Sequence, residues 1–399
     1  MKNSLKYTCL FGGGAIRGVS YVGAVKAMEE LGIRPDRFAG SSVGAIFAAF
    51  LAVGYTADEL KQIFLKINFD LFRDVAFGFG SNFALSKGEV FLDWVRDIIE
   101  QKYYGEKYKK GTNRAVTFAD LRNDLIIITT DLSSFECKEF SKYDTPDYEI
   151  ASAVRISCCM PGLMKPIEYN NRLLVDGDLQ KSWPMWKLSK NLLANDERIL
   201  EFRLEGNYDS NNITGLDYAN AVYSCMTATA TSFVKEIYAL NDKFDYIVLN
   251  TGDIVIVDFN MNSKKRLELI DKGYEQTVEY FRQFLPDKKN DLRRYYEYLY
   301  AHLAKLSKYI NNNNIIRAKI QLGELFIDLC EAKELIDDSD YLLLKSFKDM
   351  FLANIHYPAL FGKITLKNDK LLKIELKKIL NKFDNKVQEL NTYLKCLNS

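Results

Sequence analysis

The sequence predicts an α/β chain with a three-layer fold on a mainly parallel central sheet, followed by an all-helical C-terminal region. Three observations predict it. Residues 5–54 alternate strand, glycine loop, helix, strand, sharp turn and helix, the order that feeds a parallel sheet. Residues 125–130 form a continuous, largely β-branched apolar run of the kind that fills a central strand. Glycine is spread unevenly: 20 of the 22 lie at or before Gly273, and beyond the polar junction at 287–290 the chain reads as helices.

In chain order, Tyr7-Thr8-Cys9-Leu10-Phe11 is an apolar run long enough for a buried strand. It leads into Gly12-Gly13-Gly14-Ala15-Ile16-Arg17-Gly18. Consecutive glycines accept positive φ and turn several N–H groups toward one point, a nest for an oxyanion or a phosphate. The loop lacks the lysine of G-x-x-x-x-G-K-[ST], and its spacing does not fit G-x-G-x-x-G. An oxyanion hole is the better use of it. Residues 19–28 read as the helix behind the loop.

A short strand at 36–39 then reaches Gly40-Ser41-Ser42-Val43-Gly44 and an apolar helix at 45–53. This is G-x-S-x-G between a strand and a helix, the context of a nucleophile elbow. The helix N-terminus would favour negative charge beside Ser42. By itself the pentapeptide leaves two readings open, a nucleophile or a serine that caps the helix.

Thr56 is the expected N-cap of the next helix. Phe69, Phe72, Phe77, Phe79 and Phe83 cluster in a glycine-broken segment, read as partly buried loop aromatics or as a lid that meets lipid. Helical periodicity covers 88–103. Asp131 follows the strand at 125–130 and is read as a turn residue. A helix at 148–157 precedes Cys158-Cys159, read as small packing groups rather than a redox pair. Arg172-Leu173-Leu174-Val175-Asp176-Gly177-Asp178 is an apolar strand ending in Asp-Gly. Asp176 then sits at a strand's C-terminal end, the edge of an open α/β sheet where ligands bind.

Strands at 199–204 and 246–250 and a helix at 263–285, closed by Pro286, complete an expected domain of residues 1–286. Helices near 291–310, 315–336, 340–353 and 369–396 give a C-terminal bundle or cap, 287–399. Tyr295, Tyr296, Tyr298 and Tyr300 on its first helix are read as packing. The lysine-rich last helix is read as a solvated bundle helix rather than one lying on a membrane.

The three motifs, in this order, resemble the patatin-like phospholipases. The likeness extends to Arg155-Ile156-Ser157 with Pro161 and Pro166, to residues 117–121 and to residues 269–274, and so covers roughly residues 5–284. It implies a patatin-like fold and a Ser42–Asp176 dyad. One position departs: the family usually has a second glycine after Asp-Gly, and this chain has Asp178. Asp tolerates left-handed backbone better than most residues, so the change bears on local electrostatics more than on fold.

Ser42 needs a base. The only two histidines, His302 and His356, lie in the C-terminal region, and the first 301 residues contain none. A self-sufficient catalytic domain must then use a carboxylate, and Asp176 is the candidate, its basicity raised by burial. The oxyanion hole falls on Gly12, Gly13 and Gly14, with the Val43 N–H beside them. Arg17 is weighed as a ligand of the lipid phosphate against a surface ion pair. The reading is a lipid acyl hydrolase of the phospholipase A or lysophospholipase type, needing no cofactor and no metal. Its alternatives are a catalytically silent module that binds a membrane or a partner, and an acyltransferase using the same serine.

Composition bounds the rest. The chain has 399 residues, 48% of them apolar, enough for a sizeable core. A formal net charge of +1 argues against a dedicated nucleic-acid binder. The seven cysteines are scattered without C-x-x-C, which fits reduced thiols in the cytoplasm. No apolar leader or membrane span is read. The expected partner is a phospholipid membrane surface met peripherally, with a protein activator or a second copy of the chain as further candidates.

Overall fold

The computed structural model describes residues 7–68, 84–179, 198–206, 244–254, 261–331, 336, 338–358 and 363–397. The phenylalanine cluster at 69–83 lies outside them. Two compact units form, one from the described residues up to Val278 and one from Glu279 onward.

The first unit opens with β1 (Tyr7–Phe11), all five residues buried, then α1 (Ser20–Glu30), β2 (Arg37–Ser41) and α2 (Val43–Ala52). Every residue of α2 is buried, as its apolar sequence requires. Next come α3 (Ala57–Lys66), β3 (Ala84–Ser86), α4 (Glu89–Tyr104), β4 (Asp124–Asp131) and β5 (Glu136–Ser141). Thr56 caps α3 in a reciprocal capping box with Glu59. There follow α5 (Ile150–Ser157), β6 (Gly162–Met164), β7 (Ile167–Tyr169), β8 (Arg172–Asp176), β9 (Arg198–Glu205), β10 (Phe244–Asn250) and α6 (Ser263–Glu279).

The main sheet runs β10-β9-β1-β2-β4-β8-β7, with β5 also on β4. The ladders among β10, β9, β1, β2 and β4 are parallel, and those of β4 with β5, β4 with β8 and β7 with β8 are antiparallel. The sheet is thus mixed and mostly parallel. Aromatic rings bind its layers: Phe11 of β1 stacks on Phe202 of β9 at 5.4 Å, and Phe47 of α2 on Phe64 of α3 at 4.7 Å.

The second unit is largely helical. A π-helical turn (Tyr280–Phe284) precedes α7 (Leu285–Asn311), α8 (Ile315–Glu331) and α9 (Asp338–Ala353). A two-residue antiparallel ladder, β11 (Ile355–His356) with β12 (Thr365–Leu366), comes before α10 (Asp369–Leu397). Pro286 does not close a helix. It sits near the start of α7, in helical backbone that runs on without a break from the π-helical turn. Leu299, Leu303, Leu325, Phe351, Leu372 and Phe383 anchor the unit's core. Tyr296 is buried and donates to Asp340 at 2.6 Å, whereas Tyr298 and Tyr300 are about one-third exposed. α10 buries Leu372, Leu376, Ile379 and Phe383, as a bundle helix does. Among the described residues no helix is long and apolar enough to cross a membrane.

Candidate active site

Ser42 stands between β2 and α2 at φ 53°, ψ −130°, a conformation that L-residues rarely adopt. Its neighbours make this turn possible. A methyl on Gly40 would lie 2.2 Å from the Gly44 carbonyl oxygen, and one on Gly44 2.0 Å from that of Phe11. Only glycine lets the turn pass so close to β1. Ser42 is the N-cap of α2, yet its side chain makes no capping hydrogen bond. The hydroxyl is therefore not spent on the helix, which removes the capping reading left open above.

The elbow is braced from α5. The Ser42 N–H donates to Ser157 Oγ at 3.0 Å, and Ser157 Oγ donates to the Ile128 carbonyl of β4 at 2.5 Å. Cys158 Sγ donates to the Ser42 carbonyl at 3.1 Å, and Cys159 Sγ bonds the Met164 and Lys165 carbonyls. Burial, with the Asp176 carboxylate beside it, pushes the Cys158 thiol well above its ordinary range, and burial lifts Cys159 to about 11. Both stay protonated donors. The vicinal cysteines pack as expected, and they also brace the elbow.

Asp176 arrives by a different route from the one its sequence suggests. It ends β8, but β8 is antiparallel to β4, not a member of the parallel set. The register explains the convergence. Ser41 pairs with Ile128 of β4, and Asp176 pairs with the next residue, Thr129. Strand β5 covers the other edge of β4. β2 and β8 therefore meet end to end along one edge, and the chain turns off at Ser42 where Asp176 comes in. Gly177 packs close by: its Cβ position lies 3.2 Å from Ser41 Cβ. Asp176 is fully buried, its N–H donating to the Cys159 carbonyl at 2.9 Å.

The glycine loop faces this point. Gly12 N–H donates to the Phe202 carbonyl at 2.9 Å, and Tyr21 Oη donates to the Gly12 carbonyl at 2.8 Å. Gly14 at φ 152° and Ala15 at φ 48° turn the chain into a short 3₁₀ helix. Arg17, on that helix, is buried, and its Nε donates to the Ile254 carbonyl at 2.6 Å. Asp131 is a turn residue: it accepts from the Ser133 N–H, Ser134 Oγ and Arg172.

Sequence reasoning missed a buried charge cluster at the loop. Asp178 Oδ1 accepts from the Gly13 N–H at 3.2 Å and from Ser41 Oγ at 3.0 Å, and its own N–H donates to Asp176 Oδ1 at 2.8 Å. Arg203 of β9 lies 3.9 Å from Asp178 and pairs closely with Glu201. All three are at most 3% exposed. Burial works against the Arg203 cation, but the Glu201 and Asp178 carboxylates outweigh it and raise its pKa. The aspartate in place of a glycine at 178 was the available signal for Asp178. Glu201 and Arg203, alternating with Leu200, Phe202 and Leu204 inside β9, were the signal for its counter-charge. Among the described residues no group of three or more His, Cys, Asp and Glu side chains is arranged to hold a metal ion.

The mixed, mostly parallel sheet thus carries a strained serine elbow with a glycine loop facing it. Residues 10–184 match the family model of the patatin-like phospholipases. The uncharacterized protein YqhO of Bacillus subtilis is 27% identical over 297 residues, 69% of this chain and 98% of its own length. A probable lipid hydrolase of invertebrate iridescent virus 6, 463L, is 28% identical over 188 residues, 45% of this chain and 61% of the relative. The crystal structure of VipD from Legionella pneumophila shares the fold, with a TM-score of 0.54 at 16% identity over 97% of this chain and 88% of that one.

Proposed function

We propose that the chain is a lipid acyl hydrolase of the phospholipase A or lysophospholipase type, acting through Ser42 and Asp176. The observation that carries this reading is the Ser42 elbow, strained and with its hydroxyl unused as a cap, at the point where β8 delivers Asp176. Ser42 Oγ attacks the acyl carbonyl carbon as its proton passes to Asp176. Backbone N–H groups of the glycine loop and of the α2 N-terminus hold the developing oxyanion. Collapse breaks the ester bond, and the leaving alcohol takes the proton from Asp176. Water, deprotonated by Asp176, then releases the fatty acid and restores Ser42. Arg17, next to the loop, is assigned to the lipid phosphate within this proposal. The substrate would be met at a phospholipid surface.

A fluorophosphonate probe tests the reading. Ser42 should be labelled in the full-length protein, with labelling lost in Ser42→Ala. A folded wild-type protein that resists labelling and releases no fatty acid would point to a silent binding module. Labelling with acyl transfer to an added alcohol in preference to water would point to the acyltransferase.

A further inference from the structure

We propose that Asp178 is a positioning residue for this hydrolysis, its carboxylate clamping the Gly13 backbone to Ser41 beside Asp176, with Arg203 as its counter-charge. The proposal rests on the Ser42–Asp176 reading and deepens it.

Two segments far apart in sequence meet at this one side chain, and the backbone of the same residue holds the carboxylate of Asp176. Asp178 Oδ1 takes the Gly13 N–H from the glycine loop and the Ser41 hydroxyl from the end of β2. Its own N–H holds Oδ1 of Asp176. The clamp thus touches the oxyanion loop, the residue before the nucleophile and the base. The fit is tight: a methyl on Gly13 would lie 2.7 Å from Asp178 Oδ2 and 2.9 Å from Ser42 Cβ.

Energetics favour a geometric role over a stabilising one. Burying a carboxylate and a guanidinium strips both of water, and a buried pair is weak evidence of net stability. A glycine at 178 would spare the burial of one carboxylate and leave Arg203 with Glu201 alone. What the pair adds is a fixed placement of the groups that must align with the ester. A site misplaced by about 1 Å can lose on the order of 10²-fold in rate.

The clamp also reassigns the oxyanion hole. The Gly13 N–H is turned to Asp178, and the Gly12 N–H to Phe202. The oxyanion falls to the N–H groups of Gly14 and Val43. A carboxylate so near would oppose the developing negative charge, and Arg203, 3.9 Å away, offsets it.

The test compares full-length Asp178→Ala, Asp178→Asn and Ser41→Ala on a soluble short-chain ester, after thermal melts establish folding. Asn keeps an oxygen that accepts from Gly13 and Ser41 but loses the charge. Asp178→Ala should lower kcat by about 10- to 100-fold with little change in KM. Asp178→Asn should recover most of that loss, and Ser41→Ala should lower kcat a few-fold. A purely structural residue would shift the melt and leave the kcat of folded protein unchanged. Wild-type or faster turnover by folded Asp178→Ala overturns the proposal, as does an Asn variant no better than Ala. Should Asp178→Ala not fold, wild-type kcat in Ser41→Ala overturns it. Wild-type protein no more active than Ser42→Ala is a separate pattern, and sinks the hydrolase reading itself.

Discussion

Ser42 at φ 53° holds strain of order 1–3 kcal/mol, which the packing of α2 and the bonds from Ser157 and Cys158 must sustain. The strain was legible in the sequence because Gly40 and Gly44 leave room for a tight turn at Ser42. The brace was not, since hydrogen bonds from Ser157 and Cys158 cross more than 100 residues and leave no local pattern. Gly13 is the sharpest point of the loop. In Gly13→Ala the new methyl would press on Asp178 and Ser42 together, at 2.6 Å from Asp178 Cγ and 2.9 Å from Ser42 Cβ. Ester turnover should fall by about 10²-fold. Steady-state kinetics on folded protein measure it, and turnover close to wild type would mean that the loop moves aside at no cost.

At the scale of elements, β4 is the ruler of the site, because β2 and β8 are both measured against it. Its apolar run made it readable as a central strand. The direction of β8 was not readable, since an apolar strand ending in Asp-Gly looks the same in either orientation. The three-residue strands β3, β6 and β7 are too short to carry a period. β4 ends on Asp131, where burial opposes the charged form. The Ser133 N–H, Arg172 and Ser134 outweigh burial and hold this carboxyl below the usual range. The folded protein then binds this proton less readily than the unfolded chain. Ionised Asp131 therefore contributes stability above about pH 4, lost as pH falls through the folded-state value. Arg172 is more than half exposed, so Ser133 and Ser134 supply most of the effect. Asp131→Asn should cost roughly 1–2 kcal/mol at neutral pH and much less at about pH 3. Urea titrations at the two pH values check this, and an equal loss at both would contradict it.

At the scale of the whole molecule, the compositional break after Gly273 anticipated a helical C-terminal unit, because helices need few glycines. Both histidines belong to that unit. His302 Nδ1 pairs with Gln321 at 2.9 Å, and its ring packs on Tyr298 at 4.2 Å. His356 lies on the short β11 strand. Neither is in the unit that carries Ser42 and Asp176. Hydrolysis without histidine is the central claim, and fatty-acid release from phospholipid vesicles tests it most directly. Five full-length proteins suffice: wild type, Ser42→Ala, Asp176→Asn, these two combined, and His302→Gln combined with His356→Gln. Ser42→Ala and Asp176→Asn should each lose about 10³-fold or more, and combining them should cost little further because they act as one unit. The histidine variant should stay within a few-fold of wild type. A folded histidine variant without activity, or Asp176→Asn with near-normal turnover, would contradict the dyad and require a histidine-assisted triad in its place.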